Sequence, residues 1–425
     1  MKGRTFAVVS LGNVIEWFDF GLFIYLAPII GKYFFPSGKG FDPGLSAFEV
    51  FAAGFICRPL GGILFGHIGD RLGRAKSLTF SILAISISTA ALGLLPAYSV
   101  LGWMAPVCFF LLRCIHGLSA GGEYTGAVIY LGEFAPVNKK GLLTSFAVAG
   151  ANLGFFLATL ILIFLNLFSS PVVKNIGWRF CFIGSGIFGW FIMYSRLKLQ
   201  ETSTFLELKA SKKINERPFW YAVRYNPKII LQIFGLTCLG APFYYMFFGF
   251  LPNFLAIHNH IAILKTLSAQ AVFLLLMLLL LPVAGVAGDY FGRRKVLMIT
   301  AIGMIFLSIP CFYLMQQNSL LLLFFGLGIA TVLSSLEQAN NLVTFVENCP
   351  AQIRSSGISF AYNTGNAIFG GTAPLMFSVL SEKIYPVASA YYLVLMACIG
   401  LWVIYTLKNN QTSINTQTSV IYPAQ

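Results

Sequence analysis

The sequence predicts an all-α polytopic membrane protein of twelve transmembrane helices, arranged as two repeated six-helix bundles. Three observations lead there. Hydrophobic residues make up 57% of the 425 positions and charged residues only 10%, where soluble chains carry roughly a quarter charged. Apolar runs of about 20 residues recur from end to end, each long enough to cross a ~30 Å hydrocarbon core as a helix. Backbone groups in lipid must bond within their own element, and these runs lack the period-two alternation of a barrel, so the spans are helices. Finally, two loop motifs each occur twice, in equivalent places of the two halves.

The spans fall at about 6–31, 46–66, 77–96, 103–131, 142–168, 178–197, 228–253, 267–287, 296–315, 320–344, 355–380 and 388–407. The first follows basic residues, as a signal peptide does. Glu16 and Asp19 interrupt it and no small-residue cleavage site follows, so it is expected to be a retained helix. Close helix packing is expected at Gly62–Gly66, Gly117–Gly121 and Gly150–Gly154. The same is expected of Gly184 to Gly189, whose match to a dinucleotide fingerprint lies inside an apolar helix and follows no strand. The polar stretch between spans six and seven divides the chain into an N-terminal bundle (1–197), a cytoplasmic linker (198–227), a C-terminal bundle (228–407) and a short polar cytoplasmic tail (408–425).

The net charge of +14 is a matter of topology rather than of nucleic-acid binding. Arg58 and Arg113 lie inside spans, and Lys32, Lys39, Lys174, Arg179, Lys265 and Lys383 fall on one side. All other Lys and Arg fall on the opposite side, which the positive-inside rule assigns to the cytoplasm together with both termini. The eight cysteines form no C-x-x-C pair and read as small apolar residues, without disulfides or zinc. His258-Asn259-His260 is an extracytoplasmic loop pair rather than a metal site. No phosphate-binding loop, clustered nucleophile, metal set or cofactor motif occurs, so neither ATP-driven pumping, nor an enzyme, nor a cofactor is expected.

The repeat is explicit. Gly66-His67-Ile68-Gly69-Asp70-Arg71-Leu72-Gly73-Arg74 reappears as Gly285-Val286-Ala287-Gly288-Asp289-Tyr290-Phe291-Gly292-Arg293, each joining the second and third spans of its half. Glu133-x-x-Pro136-x-x-x-Lys140 reappears as Glu347-x-x-Pro350-x-x-x-Arg354, each joining the fourth and fifth spans. Duplicated six-helix units are typical of alternating-access transporters.

The loop from Gly66 to Lys76 resembles the signature loop of the major facilitator superfamily. GNVIEWFDF in span one, RPLGG at Arg58–Gly62, RCIHGLSAGGE at Arg113–Glu123 and AYNTGNAIFGGTAP at Ala361–Pro374 together resemble its metabolite:proton symporter family, which includes proline/betaine, dicarboxylate, citrate and shikimate carriers. The resemblance implies a proton-coupled symporter importing a small polar metabolite or osmolyte, monomeric and multi-pass in a bacterial inner membrane. A uniporter or drug/proton antiporter of the same fold stays open, and a non-transporting sensor is disfavoured. Osmosensing members bear a long C-terminal coiled coil, and the tail from Asn409 lacks heptads, so sensing by that device is not expected.

Within span one, Asn13, Glu16, Asp19 and Phe20 share one side of a helix, which only a bundle interior or wet cavity accepts. The resemblance makes this helix line the central cavity. Glu16 and Asp19 are the candidate proton carriers, and spacing does not choose between them. Arg113 lies near mid-span and needs a carboxylate partner: Glu16, Asp19 or that of a substrate. Glu123 is grouped with these, although it lies ~15 Å from Arg113 along the helix. Arg58 reads as packing near the cytoplasmic end. Trp17, Tyr124, Tyr244 and Tyr245 are candidate cavity aromatics, able to enclose a quaternary ammonium with a carboxylate. Gln232, Glu337, Asn340, Asn363 and Asn366 are candidate polar lining, and the asparagines opposite an arginine would suit a dicarboxylate or shikimate equally.

The repeated loops are expected to form a cytoplasmic gate. The resemblance implies that Asp70 sits at a helix end of the opposite half and that Arg71 or Arg74 meets acidic residues there, with Gly66 and Gly73 shaping the loop. Glu133 and Glu347 are placed to meet the loop arginines, and Asp289, Arg293, Arg294 and Arg354 are the counterparts. Tyr290 stands where a basic residue is usual, so the second gate is expected to be the weaker.

Overall fold

Each of the apolar runs is helical in the computed structural model, which describes residues 3–36, 43–167, 171–258, 262–317, 319–383, 385 and 387–407. The first half contains α1 (Gly3–Phe34), α2 (Pro43–Arg71), α3 (Arg74–Leu94), α4 (Met104–Phe134), α5 (Lys140–Leu167) and α6 (Pro171–Arg196). The second contains α7 (beginning as Pro227–Tyr244), α8 (Ile263–Phe291), α9 (Arg293–Gln316), α10 (Leu320–Asn348), α11 (beginning as Arg354–Gly365) and α12 (Ala388–Thr406). Among the described residues, ten helices are long and apolar enough to cross a membrane by themselves. The two others are α2, which carries Arg58, Asp70 and Arg71, and α11, which is interrupted. The expected tail and most of the His258–His260 pair lie outside the described residues.

Two helices are not continuous. α7 passes through a π turn at Tyr245–Phe250 before resuming as Leu251–His258, and α11 does the same at Asn366–Gly370 before Ala373–Lys383. Pro242 precedes the first π turn and Gly370-Gly371 closes the second. A proline removes one backbone donor and glycines loosen the backbone, so the regular ladder fails where they cluster. Such turns are frequent at functional sites.

Within the first half α1 lies on α5, α2 on α4 and α3 on α6; α9 lies on α10 and α12 in the second. The halves meet along α2 against α11 and α5 against α8. Small residues permit both approaches. A Cβ on Gly62 would stand 2.6 Å from the Ser359 carbonyl oxygen, and one on Gly66 2.6 Å from Ser356 Cα. Gly141 and Gly285 abut each other's carbonyls at the second interface, and Gly117, Gly121, Gly150 and Gly154 press on neighbouring backbone as expected. Gly184 differs: it faces open space, and Gly186 and Gly189 alone of that run pack closely, on Ser86 and Ala90. Large apolar side chains such as Ile56, Phe180 and Phe306 point outward, which is where acyl chains accept them. All eight cysteines are free.

Candidate functional site

At one end of the bundles the repeated loops clasp the opposite half. Asp70 accepts from the backbone N–H groups of Ser355 and Ser356 at 3.0 and 2.8 Å, where α11 begins. Helix N-termini present free donors and a positive dipole end, so a carboxylate is the natural cap. Arg74 donates to Asp70 at 2.9 Å, to Glu133 at 3.3 Å and to the Ala351 carbonyl at 2.7 Å. Arg354 donates to Glu133 at 2.7 Å. The second half mirrors this: Asp289 accepts from Gly141 and Leu142 N–H, both at 2.9 Å, where α5 begins. Arg293 meets Asp289 at 2.5 Å and Glu347 at 3.3 Å. Gly73 (φ 123°) and Gly292 (φ 90°) make the sharp turn that brings each arginine back under its aspartate, a conformation that disfavours side chains.

Three gate expectations need correction. Arg71 is exposed and joins none of these pairs among the described residues; Arg74 meets acidic residues of its own half only, Asp70 and Glu133, and reaches the opposite half at the Ala351 carbonyl, while the ion pair across the halves is Arg354 with Glu133. Arg294 turns away and donates to the Tyr405 carbonyl at 2.7 Å. Tyr290, the counterpart of Arg71, is 80% exposed, so the missing basic residue does not touch the second set of pairs. Asn340 belongs here rather than in a cavity: it donates to the Ala284 carbonyl at 3.0 Å and accepts from Arg293 at 3.4 Å.

The core of the first half holds three ion pairs. Glu16 accepts from Arg58 Nη2 at 2.9 Å, Asp19 from Arg113 Nη1 at 2.6 Å, and Glu123 from Arg196 at 2.5 and 2.8 Å. All three carboxylates are fully buried. Thr89 donates to Asp19 at 2.9 Å, and His116 Nε2 lies 3.7 Å from the same carboxylate. Glu16 and Asp19 thus face inward, as their shared side required, but neither lines the central cavity; each is turned onto an arginine behind its wall. Asp19 is the partner of Arg113. Glu123 is drawn into α3 and α6 by Arg196 and by Ser81 at 2.6 Å, so it is not a cavity residue. Asn13 donates to the Ala147 carbonyl at 2.8 Å and ties α1 to α5.

Arg58 is the largest correction. It lies near the middle of α2, not near an end, and its Nε donates to Asn363 Oδ1 at 3.2 Å in the other half. Its guanidinium sits 5.6 Å from the Trp17 ring centroid and 5.9 Å from that of Phe55. It also lines a small cavity of about 270 Å³ with Phe20, Phe55, Arg113 and His116.

The central cavity, of about 540 Å³, lies between the halves. Trp17, Tyr124 and Asn152 line it from the first half, and Tyr244, Tyr245, Glu337, Gln338, Asn341, Tyr362 and Asn366 from the second. Glu337 is the one charged side chain among the described lining residues, and it has no cationic partner among them. Asn341 Nδ2 donates to it. Trp17 Nε1, Asn152 Oδ1 and Asn341 Oδ1 are buried without hydrogen-bond partners, a cost that a polar ligand or water in the cavity would remove. Two expected lining residues lie elsewhere. Gln232 donates to Thr406 at 3.1 Å and ties α7 to α12, and Asn363 bonds the Gly121 and Ser359 carbonyls, both at 2.7 Å. Sequence reasoning missed Asn152 and Tyr362. Asn152 was detectable as the amide between Gly150 and Gly154 in an otherwise apolar run.

The sequence profile of the Major Facilitator Superfamily matches residues 9–374 and 233–420. The chain belongs to that superfamily. Among curated proteins it is 32% identical to the glycine betaine/proline/ectoine/pipecolic acid transporter OusA of Dickeya dadantii, over 94% of this chain and 81% of that protein. It is 31% identical to the proline/betaine transporter of Escherichia coli (strain K12), over 95% of this chain and 83% of that one. The proton:xylose symporter XylE bound to 6-bromo-6-deoxy-D-glucose superposes with a TM-score of 0.73 at 18% identity, covering 95% of this chain and 94% of that one. The inward-open xylose transporter XylE from E. coli gives 0.67 at 18% identity, covering 98% and 99%. These structural likenesses confirm the twelve-helix fold expected from the sequence. This superfamily member is a multi-pass membrane transporter and not an enzyme.

Proposed function

We propose that the chain is a proton-coupled symporter that imports a small zwitterion bearing a secondary or quaternary ammonium, such as proline or a betaine, across a bacterial inner membrane. The observation that carries this is Glu337: one buried carboxylate without a cation, on the wall of a cavity whose other large faces are Trp17, Tyr124, Tyr244, Tyr245 and Tyr362. A desolvated ammonium is attracted both to the carboxylate and to the ring faces, at ~2 kcal/mol or more per well-placed ring. A dicarboxylate or citrate would meet Glu337 with like charge. The similarity to transporters named for proline and betaine supports the same class.

The positive-inside rule puts the clasped loops, both termini and residues 198–227 in the cytoplasm, with 1–197 and 228–407 as the two rocking units and 408–425 as a tail; the working unit is a monomer. With both clasps made, the cavity is shut from that side. At the other end Tyr25 donates to Gln270 at 3.0 Å across the halves. The cycle is outward opening, joint binding of proton and solute, occlusion, then inward release as the clasps break. Asp19 with Arg113 and His116, and Glu16 with Arg58, are the groups that carry the proton.

Proteoliposomes under an imposed pH gradient test this. Labelled betaine or proline is expected to accumulate, with alkalinisation outside, and each to compete with the other but not with citrate. Accumulation of citrate or shikimate instead would refute the substrate class. Solute-driven acidification or no proton movement would refute symport.

A further inference from the structure

We infer that the Arg58–Glu16 pair is an exchangeable carboxylate site, in which the carboxylate of the transported zwitterion takes Arg58 as Glu16 takes the proton. The inference rests on the zwitterion reading above and names which residue receives the solute's negative end.

Arg58 stands one side chain behind the cavity wall. Trp17, which lines the cavity, is 5.6 Å from its guanidinium, and Asn363, which accepts from its Nε, sits between the lining residues Tyr362 and Asn366 in the chain. The pair is also half made. Only Glu16 Oε1 meets Arg58, through Nη2; Glu16 Oε2 is buried with no partner, and Arg58 Nη1 takes part in neither bond. Arg196, by contrast, donates to both oxygens of Glu123, and Ser81 donates to Glu123 as well. A buried pair with spare hydrogen-bonding capacity on both members is the one that can change partners.

Charge conservation decides what the new partner must be. The three pairs of the first half are each neutral, so a proton added to Glu16 leaves Arg58 buried and uncompensated, a state that desolvation strongly disfavours. An incoming carboxylate removes that cost. At the opposite wall Glu337 meets no cation among the described residues, and the ammonium of the same molecule supplies one. One zwitterion therefore completes the charges of both halves, and only with the proton present. The chemistry is a proton exchange without redox: a hydronium ion from the outer solution gives its proton to Glu16, forming the O–H bond there and leaving as water, and the ion pair of Glu16 with Arg58 is replaced by that of the solute. Release reverses both. The separating wall is Phe55 and Tyr245, 6.2 Å apart and tilted 72°, and Tyr245 opens the π turn of α7, where the helix is least constrained. The charged groups facing Glu16 are Arg58 on α2, Glu123 on α4 and Arg196 on α6, the last two already paired with each other; the Tyr124 and Tyr245 hydroxyls are the other titratable neighbours.

The test is equilibrium binding to the purified full chain in nanodiscs between pH 5.5 and 8.5, comparing betaine with choline, which keeps the trimethylammonium and lacks the carboxylate. In Glu16→Gln, betaine affinity at pH 8 is expected to rise by about tenfold or more over wild type while choline affinity stays unchanged, because only betaine competes for Arg58. The double variant Glu16→Gln/Arg58→Gln removes both charges together and is expected to bind betaine no better than choline; it serves should the single variant fold poorly. The inference is overturned if wild type binds betaine but neither variant alters the ratio of betaine to choline affinity at any pH. Wild type that binds no betaine at all would instead remove the zwitterion reading, and this inference with it.

Discussion

Glu123 and Glu337 occupy matching places in the two halves, each ten residues ahead of the glutamate that meets a gate arginine, yet they end in opposite environments. Glu123 is locked by Arg196, the last residue of α6. Among the described residues α12 ends without a basic residue in its last turn and Glu337 meets no cation, so it stands unlocked on the cavity wall. The same contrast runs through the halves as wholes. The first keeps Glu16, Asp19 and Glu123 each on an arginine, while among the described residues of the second Glu337 is the one mid-membrane charge. Duplication gave both halves the same frame and the same gates. The placement of a few arginines then made one half a store of compensated charge and left the other waiting for a cation.

Four experiments bear on that contrast, from the largest effect to the smallest. Glu337→Gln is expected to lower kcat/KM for betaine uptake by ~100-fold or more, the scale of losing one partner of a desolvated charge pair, with little change in Tm; unaltered uptake would mean that the two glutamates are equivalent after all. Arg196→Gln leaves Glu123 buried and unpaired, and is expected to destabilise the chain by ~3–5 kcal/mol, read as a fall in Tm, while the Glu123→Gln/Arg196→Gln double variant recovers most of the loss. Should the double variant lose transport with its stability intact, Glu123 has a role beyond packing. Asp70→Asn trades charge-assisted caps on Ser355 and Ser356 for weaker ones, and is expected to shift the balance toward the form open at that end by ~1.5–3 kcal/mol; spin-label distances across the clasp would report it. Tyr290→Arg should change uptake by less than about twofold, because the exposed ring touches no gate pair.

The fold and both clasps were legible because they are written in patterns: apolar runs of bilayer length, and duplicated loops whose aspartates have helix starts to cap. The partners of the buried charges were less so. Helical spacing places Glu16 and Asp19 on one side of α1 but does not say what stands opposite, and their partners lie on α2 and α4, far away in sequence. Arg58 was misplaced for a definite reason. The apolar run ends near 66, but α2 continues to Arg71 because Asp70 and Arg74 are satisfied at the clasp, which moves Arg58 to the middle of the helix. Gln232, Asn340 and Asn363 show the complementary error: an amide in a membrane helix must bond something, and a neighbouring backbone carbonyl serves as well as a ligand.

The interruptions in α7 and α11 have a mechanical corollary. A π turn fits an extra residue into one coil, so the segments before and after it are angularly offset and joined by a weaker stretch of ladder. Leu251–His258 and Ala373–Lys383 are therefore each joined to Pro227–Tyr244 and Arg354–Gly365 by the least tightly bonded coil of their helix.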